Sequence, residues 1–80
     1  MNGGKTLKEE NIEIKTDYIT LIQLLKWAGL VSTGGEGKAL IRGKSVKVNG
    51  ELETRPGRKL TPGDTLSIGE EFHGVIVKSQ

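Results

Sequence analysis

Asn49-Gly50 sits between Val46-Lys47-Val48 and Glu51-Leu52-Glu53, and no other pair of neighbours limits the fold so tightly. Both residues accept the left-handed backbone of a two-residue type I′ turn, so two short strands are expected to fold back on each other there. Val46 and Val48 alternate with Lys47 and face inward. Leu52 is expected to continue that inward face on the returning strand. Glu51 and Glu53 then lie across from Lys47, a surface contact worth little.

Charge is distributed unevenly around this hairpin. Residues 33–60 hold seven of the twelve Lys and Arg (Lys38, Arg42, Lys44, Lys47, Arg55, Arg58, Lys59) against three acids (Glu36, Glu51, Glu53), which gives about +4 and leaves about −2 for the rest. The formal net charge of +2 hides that asymmetry. A polyanion is expected to meet the chain here.

Eighty residues allow one domain with one small core, because a chain this short buries only about 60–65% of its unfolded surface. The absence of cysteine removes disulfides and thiolate metal sites, and the single histidine, His73, rules out a multi-histidine zinc site. No apolar run approaches the ~18 residues of a membrane span, and the first eleven residues are polar where a signal peptide is apolar. A cytoplasmic protein with no membrane partner is expected. Residues 1–11 lack periodicity and are expected to be a flexible tail or partly an expression remnant, with residues 12–80 forming a single domain.

Ile12 and Ile14 alternate with charged residues, as in a short half-buried strand at a sheet edge. Thr20 and Gln23 have capping-box spacing, Ile19 and Leu24 are placed as a hydrophobic staple, and Gly29 supplies a stop. Leu21, Leu24, Leu25 and Ala28 form the core stripe of this helix. Trp27 fits either a partly buried rim position or a base-stacking platform.

A second helix is expected from a cap at Ser32 or Thr33 to about Arg42. Leu40 and Ile41 turn toward the first helix and Gly37 permits close approach, while Lys38 and Arg42 share the opposite stripe. Gly34 and Gly35 fit two explanations equally: amides open to a phosphate, or a loop needing unusual backbone angles. Arg55-Pro56-Gly57-Arg58-Lys59 is too polar and turn-rich for a strand and reads as a basic loop. Strands follow over 65–68, with Leu66 and Ile68 inward, and over 72–78, with Val75 and Val77 on one face and Ile76 on the other. Helices first and strands later is the pattern of an α+β domain: two packed N-terminal helices followed by a small antiparallel sheet.

No nucleophile with a base, carboxylate pair or metal cluster emerges, so neither catalysis nor a cofactor is expected. Glu70 and Glu71 are adjacent and point apart, and His73 lacks a motif partner. Residues 34–38 lack the spacing of a phosphate loop. Phosphate-backbone binding demands less, only positioned charge and donors. Lys38 and Arg42 with Arg55, Arg58 and Lys59 meet that demand if the hairpin folds back beside the second helix.

The succession Leu24-Leu25-Lys26-Trp27-Ala28-Gly29, Ser32-Thr33-Gly34-Gly35-Glu36-Gly37-Lys38, Val46-Lys47-Val48-Asn49-Gly50, Arg55-Pro56-Gly57-Arg58-Lys59-Leu60 and Gly63-Asp64 resembles the RNA-binding domain named after the fourth small-subunit ribosomal protein, the S-four or alpha-L type. The likeness runs from Ile14 to Val77 and is greatest to small stand-alone bacterial members. It implies two packed helices against a small antiparallel sheet, with structured RNA, ribosomal or transfer, lying across the second helix and the hairpin. Carried over by position, it implies RNA contacts from Ser32, Thr33, Gly34, Gly35, Lys38, Arg42, Arg55, Arg58 and Lys59. Lys47 is also expected in the RNA-binding set, and the protein is expected to be a monomer with ribosomal particles among its partners. Family members commonly have Ala at position 37 and Gly at position 44, where this chain has Gly37 and Lys44. That departure, with glycine at Gly43 instead, implies a helix end displaced by a residue. The alternative from another class is a protein-interaction adaptor, docking a partner through a sheet edge or the acidic C-terminal third by strand addition.

Overall fold

The structure, a computed structural model, describes residues 9–79. The elements in chain order are β1 (Glu9–Ile14), β2 (Ile19–Thr20), α1 (Leu21–Trp27), α2 (Gly34–Arg42), β3 (Val46–Val48), β4 (Glu51–Leu52), β5 (Lys59–Leu60), β6 (Thr65–Ile68) and β7 (Phe72–Lys78). This corrects the expected α+β order of two N-terminal helices followed by a small antiparallel sheet. The first described element is a strand, strands dominate, and the main sheet is mixed: five strands in the order β1-β7-β6-β3-β4, beside a two-stranded sheet of β2 and β5.

The correction begins at β1. Ile12 and Ile14 are buried as their alternation demands, and β1 is an edge strand, but it pairs parallel to β7. The strand also begins at Glu9, so the expected tail is cut short. Residues 1–8 of that tail lie outside the described residues. Alternation reports which side chains point inward and carries no information on strand direction, which here is set by the whole intervening chain acting as the crossover. Pairing with β1 and β6 on either side makes β7 an interior strand, so the strand through Val77 offers no free edge to an adaptor's partner.

Inner-face residues Ile12, Ile14, Val46, Val48, Leu66, Ile68, Phe72 and Ile76 pack with Leu21, Leu24, Leu25, Ile41 and Leu60 in one core. The capping box forms as the sequence predicts: Gln23 N–H donates to Thr20 Oγ1 and Thr20 N–H to Gln23 Oε1. Gly29 follows with φ +75. On α2, Gly37 is buried because its missing side chain leaves room for Ile22 Cδ1 and Val31.

α2 ends at Arg42, Gly43 caps it with φ −73 and the left-handed residue is Lys44, φ +63. Lys44 therefore carries backbone strain of about 1 kcal/mol that a glycine avoids.

At the hairpin, Asn49 (φ +53) and Gly50 (φ +86) make the predicted turn. Asn49 also fastens it to β6. Thr65 N–H donates to Asn49 Oδ1, and Asn49 Nδ2 donates to Asp64 Oδ1 at 3.0 Å. Leu52 does not point inward. A two-residue loop pairs Val48 with Glu51 and Lys47 with Leu52, so Leu52 shares the outer face with Lys47 and is 54% exposed. Glu53 takes the inward place beside Val46, donating its N–H to Val46 O at 2.9 Å.

Candidate nucleic-acid interface

Glu53 is the buried charge among the described residues, 5% exposed. Its carboxylate accepts five hydrogen bonds: from the N–H groups of Thr54 and Arg55, from Arg55 Nε at 2.9 Å and Nη2 at 3.1 Å, and from Arg58 Nη1 at 2.7 Å. The Arg55 fork is the largest cause, and Arg58 the next, of a carboxyl held far below its ordinary 4.5, outweighing the upward push of burial. The expected pairing of Glu53 with Lys47 is therefore replaced by a carboxylate that gathers the loop's arginines. A guanidinium has five N–H donors. Arg55 commits two of them and Arg58 one to Glu53, so both keep donors for an outside acceptor, and Arg55 remains 72% exposed.

The loop is also pinned to α1. Leu21 N–H donates to Arg58 O at 2.8 Å and Ile22 N–H to Pro56 O at 3.0 Å, which satisfies two of the orphan amides at that helix start. β5 then pairs with β2, Lys59 opposite Thr20, and Lys59 Nζ stands 4.8 Å from the centroid of the Tyr18 ring.

Ile22 connects this loop to α2, since its backbone is held by Pro56 while its side chain fills the space at Gly37. The basic loop and the second helix thus meet across one isoleucine. On α2, Gly37 and Ile41 are buried while Gly35, Lys38 and Arg42 are exposed along one stripe. Among the described residues no ion pair engages Lys38 or Arg42.

At the start of α2, Thr33 caps with its hydroxyl accepting Glu36 N–H at 3.1 Å, and Glu36 Oε1 accepts Ser32 N–H at 2.7 Å. Gly34 and Gly35 have no positive φ, and a Cβ would meet nothing within 4 Å at Gly34 and only Thr33 Oγ1, at 3.9 Å, at Gly35. The unusual-angle explanation fails for both. Their amides belong to the first turn, at the positive end of a nine-residue helix.

Lys47 is not brought to this group, because it lies on the outer sheet face, opposite Leu52 and Ser67. The sequence reading missed Glu53 as the organiser. Its signal was present in the register, since a two-residue turn at Asn49-Gly50 must set Glu53 opposite Val46. Among the described residues no cluster of His, Asp or Glu is arranged to hold a metal ion, and no helix is long and apolar enough to cross a membrane.

A mixed sheet, two short helices and a basic loop docked on the first helix are the frame in which the candidate residues sit. The chain belongs to the S4 domain family, whose model matches residues 12–77. It is 44% identical over 57 residues, covering 71% of this chain and 80% of the relative, to a Bacillus subtilis protein named "Probable ribosome maturation protein RlbA". It is 37% identical over 54 residues, 68% of this chain and 77% of the relative, to the Escherichia coli protein named "Putative RNA-binding protein YbcJ". An equally similar Shigella flexneri protein bears the same YbcJ label and is called uncharacterized. Family membership supports RNA binding in general.

Proposed function

We propose that this domain is a non-catalytic cytoplasmic RNA-binding module that recognises the shape and phosphates of structured RNA, ribosomal or transfer RNA, as a monomer. The carrying observation is the joint made by Ile22: a loop whose arginines are gathered by Glu53 is fastened to α1 where α1 touches α2. Lys38, Arg42, Arg55, Arg58 and Lys59 supply charge, and the amides of Gly34 and Gly35 admit a phosphate beside Ser32 and Thr33. The name of the Bacillus subtilis relative favours a ribosomal particle, or a precursor of one, as the place of action.

Fluorescence anisotropy with a labelled RNA hairpin at several salt concentrations tests this. Each lysine or arginine removed at a phosphate contact lowers the slope of log K against log salt by roughly 0.7–0.9. The double variant Lys38→Ala/Lys59→Ala is expected to bind more weakly with a slope reduced by roughly twice that amount, since neither side chain touches Glu53. An unchanged affinity and slope refutes the interface.

A further inference from the structure

On the side of α1 turned away from the core, Trp27 and Tyr18 are 69% and 46% exposed. They line one open groove of about 700 Å³ with Thr16, Ile19, Gln23 and Lys26. A single exposed aromatic side chain is ordinary. Two that share a groove, with Ile19 beside them and ammonium groups at its margins, are not. Lys26 lines the groove and Lys59 Nζ stands over Tyr18. Trp27 also borders a second depression of about 370 Å³ beside Ile14, Lys15 and Ser79, so it lines both.

The groove adjoins the proposed basic interface at Tyr18, whose ring centroid lies 4.8 Å from Lys59 Nζ, and Lys26 lies about 40° round α1 from Ile22, the residue that faces α2. Lys26 therefore stands between α2 and the indole. Of the nearby acids, Asp17 is engaged by Lys78 at 3.0 Å, and Glu13 borders only the second depression. Flat apolar surface rimmed by cations complements a nucleotide, whose base stacks while its phosphate meets the ammonium groups.

We infer that the Tyr18–Trp27 groove holds an unpaired base of the RNA, stacked on Trp27, so that the domain engages a single-stranded nucleotide flanking the structured part. This rests on the RNA-binding function proposed above. The test compares a blunt RNA hairpin with the same hairpin carrying an oligoadenylate tail, read by anisotropy and by emission of Trp27, the one tryptophan of the chain. The tail is expected to raise wild-type affinity and quench the emission. Trp27→Ala is expected to weaken binding of the tailed hairpin about 5- to 100-fold and leave blunt-hairpin binding unchanged, with Trp27→Phe restoring most of the loss. If Trp27→Ala binds both hairpins as wild type does and the tail leaves emission unchanged, the groove assignment is overturned while the basic interface stands. If neither hairpin binds wild type, both fall. A dimer in sedimentation that Trp27→Ala converts to monomer gives the groove to a second copy and also overturns the assignment.

Discussion

At the scale of single residues, Glu53 contributes something no surface cation supplies: it holds two long, rotamer-rich arginines in one geometry before any ligand arrives. Ordering such side chains on binding costs about 0.5–1.5 kcal/mol each, and a carboxylate that already fixes Arg55 and Arg58 removes part of that cost. Because folding depresses the Glu53 carboxyl below its ordinary 4.5, the unfolded chain binds more protons in acid. The associated stability is complete above about pH 4.5 and lost progressively as pH falls below it. Asp64 acts in the same direction. Burial alone raises its carboxyl, but hydrogen bonds from Thr61 and Asn49 outweigh that and lower it. Glu53→Gln is expected to destabilise the domain by about 1–3 kcal/mol at neutral pH and to flatten, without abolishing, the acid loss, as measured by urea unfolding across pH. A variant as stable as wild type at neutral pH contradicts the role given to this carboxylate.

At the scale of elements, α2 has a stable stripe and two imperfect ends. Its N-terminal glycines weaken the helix and nothing in the packing requires them. At its C-terminal end, Lys44 occupies a backbone conformation that glycine takes more cheaply. Lys44→Gly is expected to stabilise by about 1 kcal/mol, raising Tm by about 4–8 °C. Gly34→Ala/Gly35→Ala is expected to leave stability unchanged or raise it by about 0.4–1 kcal/mol per site, yet to weaken RNA binding, since the proposed phosphate contact at the helix start then has to accommodate two added methyl groups. Thermal unfolding and anisotropy on the same samples separate the two effects. The elements also show where sequence was informative. The capping box at Thr20, the Thr33 cap of α2 and the Asn49-Gly50 turn depend on neighbours within four positions, and each formed as written in the chain. The inward residue after the turn was equally available through register, yet an acid at an inward position looks wrong until its arginine partners are in view. Hydropathy places Leu52 inward, where the register places Glu53. The parallel pairing of β1 with β7 joins the two ends of the described chain, and no local pattern encodes it.

At the scale of the molecule, the sheet separates two surfaces. Behind it the helices, the pinned loop and the aromatic groove lie on the core side. In front, Lys47, Leu52 and Ser67 share the outer face. The asymmetric charge of residues 33–60 was legible from sequence, whereas its division between the two faces depends on strand register and was not. The proposed function assigns RNA to the helical side alone and requires α2 and the loop, joined by Ile22, to act as one surface. An amide chemical-shift titration of the labelled domain with an RNA hairpin tests that assignment directly. The account predicts that resonances of residues 33–42 and 54–59 shift together, with one saturation point, while those of Lys47, Leu52 and Ser67 stay in place. Shifts concentrated on the outer sheet face, or two sets saturating at different RNA concentrations, contradict it.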